Sequence, residues 1–242
     1  MRRRSQKIAN WLIFAFVIVP ILGGGVFAAF YYGWPVALLG QVVGVDVSHY
    51  QGDIDWSLLG RSGVRFAYIK ATEGSSLQDD HFQRNWAGAN QAGVARGAYH
   101  FFTLCSKAED QAQNFFTAVP VVPDALPPMI DLEISNPCGN KYVMKDPAGE
   151  IAKLQKLIAD KYGRQPVFYV TDEFERTYLQ GLFPDQDLWV RSIQWPPNYR
   201  VQQWIIWQYH DHAHKPGVAT DLDLNFFRGG DWAFDTWRKG GR

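Results

Sequence analysis

Met129-Ile130-Asp131-Leu132-Glu133-Ile134 is the stretch that decides how this chain folds. Four apolar residues enclose two carboxylates spaced two apart. Pro127 and Pro128 lead into the run, and Asn136, Pro137 and Gly139 close it. A short apolar run bounded by turn residues reads as a buried strand. Side chains on a strand alternate faces, so Asp131 and Glu133 point the same way, near the strand's carboxyl end. Two carboxylates in semi-apolar surroundings repel, and at least one pKa rises. One group then stays protonated near neutral pH, as an acid, beside a charged partner. The plainer alternative is a pair of structural acids satisfied by Arg or backbone donors, and the flanking sequence has to decide between the two.

Outward from that strand the chain alternates. Strands are expected at 42–47, 65–71 and 95–102 upstream, and at 167–170, 188–190, 204–209 and 222–226 downstream. Helices are expected over 80–92, from a capping-box spacing at Ser106-Lys107-Ala108-Glu109, over 147–162 with Gly163 as its stop, and over 172–179. Strands alternating with helices imply parallel βαβ units, and eight of them suggest a closed β/α barrel. About 200 residues is short for such a barrel. The economy falls at the end, where neither 191–204 nor 209–221 holds an amphipathic helix. Barrel chemistry sits at the carboxyl ends of the strands. Asp46, Glu73, Asp131, Glu133 and Asp223 are all expected at or near such ends, and acids from separate strands meeting at one mouth favour a site over coincidence.

Charge divides the chain unevenly. Lysine plus arginine and aspartate plus glutamate each number 24, yet residues 1–45 hold Arg2, Arg3, Arg4 and Lys7 and no acid. The remainder is mildly acidic and has no basic run, which argues against nucleic acid as a partner. From Trp11 to Phe30 the sequence is almost purely apolar. A helix of that length reaches about 30 Å, the hydrocarbon thickness of a bilayer. The preceding arginines keep the N-terminus in the cytoplasm. We therefore expect residues 1–40 to comprise a basic tip, a single-pass inner-membrane anchor over about 11–32 and a linker, with a catalytic domain over 41–242 in the periplasm. The competing expectation is secretion after cleavage of a signal peptide near Val26-Phe27-Ala28.

Asp46-Val-Ser-His-Tyr-Gln-Gly and Tyr68-Ile-Lys-Ala-Thr-Glu-Gly resemble the signature of family 25 glycoside hydrolases, the Chalaropsis-type lysozymes. Gly97-Ala-Tyr-His-Phe-Phe, Pro128-Met-Ile-Asp-Leu-Glu, Trp207-Gln-Tyr and Asp223-Leu-Asn follow in the same order. The resemblance spans residues 43 to 228. It implies an irregular β/α barrel whose last strands lack helices, and muramidase action on the β-1,4 bond between N-acetylmuramic acid and N-acetylglucosamine of peptidoglycan, with no metal or cofactor. The family's four acidic positions fall on Asp46, Asp131, Glu133 and Asp223; the Leu-Asn after Asp223 favours it over Asp221.

Glycoside cleavage needs a proton for the leaving oxygen and negative charge near the developing cation. Glu133 is expected as the acid and Asp131 as the charged stabiliser or the group orienting the 2-acetamido arm, with Asp46 and Asp223 holding Glu133 and the sugar in register. Water, a carboxylate and the substrate's acetamido group all stay open as nucleophile. Glu73 reads as a hydrogen-bonding loop residue, and it, Tyr68, Tyr99, Tyr169, Trp207 and Tyr209 are candidates for lining the substrate cleft, with core packing an equal reading for each aromatic. His210, His212 and His214 resemble a metal site but read better as a polar loop between strands, and His100 as a satisfied strand-end histidine. Cys105 and Cys138 follow neighbouring strands, so a disulfide bracing the mouth is geometrically reasonable, with two free thiols as the alternative. Two other functions fit the acids less well: a chitinase-like N-acetylhexosaminidase, and a non-catalytic, membrane-held peptidoglycan-binding factor.

Overall fold

Strand β1 (Val42–Val47) pairs in parallel with β2 (Val64–Glu73) on one side and antiparallel with β9 (Leu222–Phe227) on the other. Between them β4 (Ala95–Phe101), β5 (Met129–Leu132), β6 (Val167–Val170), β7 (Leu188–Arg191) and β8 (Trp204–Ala213) complete a closed eight-stranded barrel. A two-residue strand, β3 (Leu77–Gln78), folds back on the overhang of β2. This computed structural model describes residues 42–134, 138, 144–193 and 195–241, with isolated positions 16, 19, 20 and 23.

The expected strands are all present, but their directions are not uniform. β9 runs antiparallel to both β8 and β1. That corrects the reading of Asp223 as lying at a carboxyl end: it is the second residue of β9. Because β9 is reversed, its amino end opens at the same mouth as the carboxyl ends of the others. The missing helix before β9 is the cause, since only a short antiparallel return is possible without a crossover.

The helices lie outside the barrel: α1 (Trp56–Arg61), α2 (Phe82–Gln91), α3 (Ala108–Ala118), α4 (Pro147–Tyr162) and α5 (Gly230–Arg238). The 172–179 segment is one α-helical turn running into a π turn, Glu175–Leu179. α4 begins with Asp146 accepting from the Gly149 amide and ends on Gly163 in the left-handed conformation, the two signals a helix terminus needs. The capping box expected at Ser106 does not form. Lys107 is the N-cap of α3, and the Ala108 amide donates instead to the Glu150 carboxylate of α4 at 2.7 Å. A tertiary acceptor, favoured by the helix dipole, has displaced the local one.

Barrel filling follows from alternation along the strands. Phe66 and Tyr68 of β2, Met129 of β5, Tyr169 of β6, Trp189 of β7, Ile206 of β8 and Phe227 of β9 form one buried cluster. Each large side chain in it contributes about 2 kcal/mol by leaving water. Room for them comes from glycines: a Cβ on Gly44 would stand 2.2 Å from the Phe66 ring, and one on Gly97 2.4 Å from Tyr68. α5, which the sequence reading did not anticipate, closes the amino end of the barrel. Its Phe234 packs on Phe66 and Phe227 with ring centroids 5.5 and 5.3 Å away.

Residues Gly40–Arg242 form one compact unit, separate from Met1–Leu39. The expected membrane span at 11–32 lies almost wholly outside the described residues. Among the described residues no helix is long and apolar enough to cross a membrane. Cys105 and Cys138 are joined in a disulfide, with their Cα atoms 5.3 Å apart.

Candidate active site

β5 is buried along its whole length, with Ile130 and Leu132 turned outward under the helices. Met129, Asp131 and Glu133 take the other face and line a cavity of about 440 Å³ at the mouth of the barrel. Asp46 from β1 and Asp223 from β9 line the same cavity. Four carboxyl groups from three strands therefore converge, and Glu73, at the end of β2, joins them.

Among the described residues two cations answer these acids. Lys70 Nζ sits 2.6 Å from Glu73, and Arg191 Nη2 lies 2.8 Å from Asp211. Both line the cavity, and both already hold an acid partner. The balance stays negative, so protonation is favoured. Burial pushes the Asp131 carboxyl well up, with Glu133 and Asp46 adding to it and Lys70 opposing. Glu133, nearer the opening, is raised mainly by burial, with Arg191 the first influence against. The expected contrast on β5 thus takes a different form. Asp131, the deeper group and the one expected to be charged, is raised along with Glu133. One oxygen of Asp131, Oδ1, is buried without a hydrogen-bond partner among the described residues.

Asp46 and Asp223 behave as a pair. They are register partners across β1 and β9, and their carboxyl groups hydrogen-bond one another. Burial and the neighbouring Asp46 lift Asp223 to about 9, and Asp46 is raised too, chiefly by burial. Asn225 Nδ2 donates to Asp46 Oδ1 at 2.6 Å, and Gln208 Nε2 lies 3.4 Å from both Asp46 oxygens. Both acids of the pair are thus raised, and Asp46 also collects side-chain donors.

Not every expected residue reaches the cavity. Tyr99 and Tyr169 line it. Tyr68 does not: it is fully buried one level below Lys70 on the same face of β2, and its hydroxyl donates to the Pro127 carbonyl at 3.0 Å. Trp207 and Tyr209 point away from it. Gln208 faces inward, so its neighbours on β8 face outward, where both rings pack on Phe226. Core packing is the outcome for these three. His210 and His212 belong to β8 itself, not to a loop, because the strand extends to Ala213. Register shifts after Gln208 and His210 change the alternation, and Asp211 rather than a histidine faces the cavity. His100 is buried between Thr72 and Gln111, as expected of a satisfied histidine.

The sequence reading had no role for Lys70, Arg191, Gln208, Asn225 or Tyr50, all of which line the cavity or hold its acids. Strand parity was the available signal for two of them. An inward Gln208 is implied by two outward aromatics around it, and Asn225 shares a face with Asp223. Nothing local marks Arg191, whose importance arises from the bend that brings Asp211 to it.

Comparison with known proteins gives a consistent result. The family described as "Glycosyl hydrolases family 25" matches residues 45–218. Lysozyme M1 of Streptomyces globisporus is 32% identical over 207 residues, 78% of this chain and 68% of that protein. The solved structure of a family 25 glycosyl hydrolase from Bacillus anthracis aligns with a TM-score of 0.75 at 37% identity, covering 81% of this chain and 93% of that one. A bacterial lysozyme from Streptomyces coelicolor aligns with a TM-score of 0.76 at 31% identity, over 84% of this chain and 99% of that one.

Proposed function

Since this chain belongs to glycosyl hydrolase family 25, and is therefore a glycoside hydrolase acting on peptidoglycan outside the cytoplasm, we propose that it is a muramidase cutting the β-1,4 bond between N-acetylmuramic acid and N-acetylglucosamine. The observation that carries this reading is the meeting of Asp46, Asp131, Glu133 and Asp223 in one cavity at the barrel mouth.

Glu133 is the proton donor in this scheme. It stands at the rim beyond the last residue of β5, its pKa raised, where a bridging oxygen can reach it. Asp131 lies below, with an unpartnered oxygen suited to the N–H of a 2-acetamido group. In its ionised form Asp131 stabilises the positive charge that grows on the sugar. Asp46 and Asp223 hold the floor of the site in register. The exposed ring of Tyr50, on the 3-10 turn after β1, offers a face for a sugar to stack on.

We further infer that the barrel is tethered to the inner membrane, N-terminus inside. The support is sequence alone: Arg2, Arg3 and Arg4 ahead of the apolar run from Trp11 to Phe30. Alkaline extraction of membranes from cells making the full chain tests this; release of an intact soluble domain would favour secretion instead.

Mass spectrometry of fragments released from purified peptidoglycan by residues 41–242 tests the activity. Products ending in reducing N-acetylmuramic acid are expected. Reducing N-acetylglucosamine ends, or faster turnover of chitin oligomers, would transfer the assignment to an N-acetylglucosaminidase or chitinase.

A further inference from the structure

The carboxylate of Asp46 is gripped by two primary amides, and each amide is itself held from behind. Asn225 is fully buried. Its Nδ2 donates to Asp46 Oδ1 at 2.6 Å, and its Oδ1 accepts from the indole Nε1 of Trp189 at 2.8 Å. An indole nitrogen can only donate. The oxygen of Asn225 must therefore face Trp189, and its amino group must face Asp46. Gln208 repeats the pattern: the Tyr169 hydroxyl donates to its Oε1 at 2.8 Å, leaving Nε2 towards Asp46. The second grip is looser, because its contact with Asp46 is longer and a tyrosine hydroxyl can also accept.

Amino groups aimed at a carboxyl from two sides suit the ionised form. The remaining partner of Asp46, Asp223, then has to supply a hydrogen, so the proton shared by the pair resides there. We propose that Trp189 and Asn225 are positioning residues: acting in series, they fix Asp46 as the ionised member of the Asp46–Asp223 pair and leave Asp223 as its proton-bearing partner. Neither residue reaches the cavity; they work through the orientation of one amide. Trp189 is wedged between Tyr68 and Tyr169, with ring centroids 5.1 and 5.4 Å away, so the indole has little freedom to turn its N–H elsewhere. Without that N–H, Asn225 loses the reason to keep its amino group forward. Without the amino group, Asp46 competes with Asp223 for the shared proton.

This inference rests on the muramidase reading for its kinetic test and is independent of it for its spectroscopic one. Kinetically, Trp189→Phe and Asn225→Leu should each lower kcat on peptidoglycan at least tenfold, leave KM within about twofold, and move the acid limb of the kcat/KM profile up by about one pH unit. Because the two act in series, the double variant should match Asn225→Leu alone; effects that multiply would overturn the proposal. A variant with wild-type kcat and pH profile would overturn it as well. If Trp189→Phe does not fold, carbon-13 titration of the aspartate carboxyls decides without substrate, in wild type and Asn225→Leu. The Asp46 signal is expected to titrate about one unit higher in the variant, and an unchanged Asp46 titration would reject the proposal. A wild-type protein inert on peptidoglycan would sink the muramidase reading alone, since the same titration still reads the clamp.

Discussion

Asp46 and Asp223 face one another across the antiparallel pair β1–β9 and share a hydrogen bond between their carboxyl groups. Two acids so close cannot both ionise without a large cost. Asp223, raised to about 9 by burial and by Asp46, keeps its proton at neutral pH. In the unfolded chain the same group would be ionised above about pH 4. The native state thus binds more protons than the unfolded state between those values. The stability this group contributes is fully present below about pH 4 and is lost as pH rises towards 9.

Asp223→Asn should accordingly flatten the fall of stability over that interval and raise Tm at pH 8, while the amide N–H replaces the O–H directed at Asp46. Asp46→Asn removes the charge itself and should cost far more activity than Asp223→Asn. Thermal unfolding at pH 5 and pH 8, with rates on peptidoglycan, checks both; equal losses of activity would show that the two acids are not in distinct states.

For Glu133 the expected result is sharper. Glu133→Gln keeps size and polarity but has no proton to give, so kcat should drop by about 10³-fold or more. The side chain lies beyond the hydrogen-bonded end of β5, so Tm should shift by no more than about 2 °C. Near-normal lysis of cell walls by the variant would remove Glu133 as the acid.

What was legible in the sequence, and what was not, follows from how far each signal reaches. The strands that bring Asp46 and Asp131 to the mouth were legible because alternation and turn residues are local. The direction of β9 was not, because it depends on a connection too short and irregular to carry a periodic pattern. Trp207 and Tyr209 read as cleft aromatics when taken as residue types, and become core residues once Gln208 between them is seen facing Asp46. α5 escaped notice because its partners, Phe66 and Phe227, belong to remote strands. Lys107 displaced Ser106 as the N-cap for the same reason: the acceptor that decides the matter, Glu150, is on another helix.

The disulfide between Cys105 and Cys138 closes a loop with a sequence separation of 33 and ties the segment after β4 to the one after β5. A cross-link over a loop of that size stabilises a fold by about 3–4 kcal/mol in the chain-entropy picture. Paired serines at both positions should lower Tm by about 8–15 °C. Activity at 25 °C should fall less than in Glu133→Gln, since neither cysteine lines the cavity. Calorimetry with and without reductant, beside the double-serine variant, measures this, and an unchanged Tm would show that the bridge contributes little to the folded state.

His100 supplies a prediction of opposite sign to Asp223. It is fully buried, with its Nδ1 2.7 Å from the Thr72 hydroxyl and Nε2 3.1 Å from Gln111 Oε1. Gln111 Oε1 also accepts from the Thr103 amide, so it acts as an acceptor and Nε2 carries the imidazole's hydrogen. Nδ1 then accepts from Thr72, and the ring is neutral. Burial lowers its pKa to about 4, with Gln111 resisting and Lys70 assisting. Unfolded, the ring would bind a proton below about 6.5. The unfolded state therefore holds more protons between those values, and stability is lost as pH falls from about 6.5 to about 4. The loss is on the order of 3 kcal/mol over that interval. A substitution that keeps a neutral donor and acceptor here, His100→Gln, should flatten the acid side of the stability curve even if it lowers the maximum. Urea unfolding at pH 4.5 and 7 compares the two proteins, and the same acid slope in both would mean that another group controls acid unfolding.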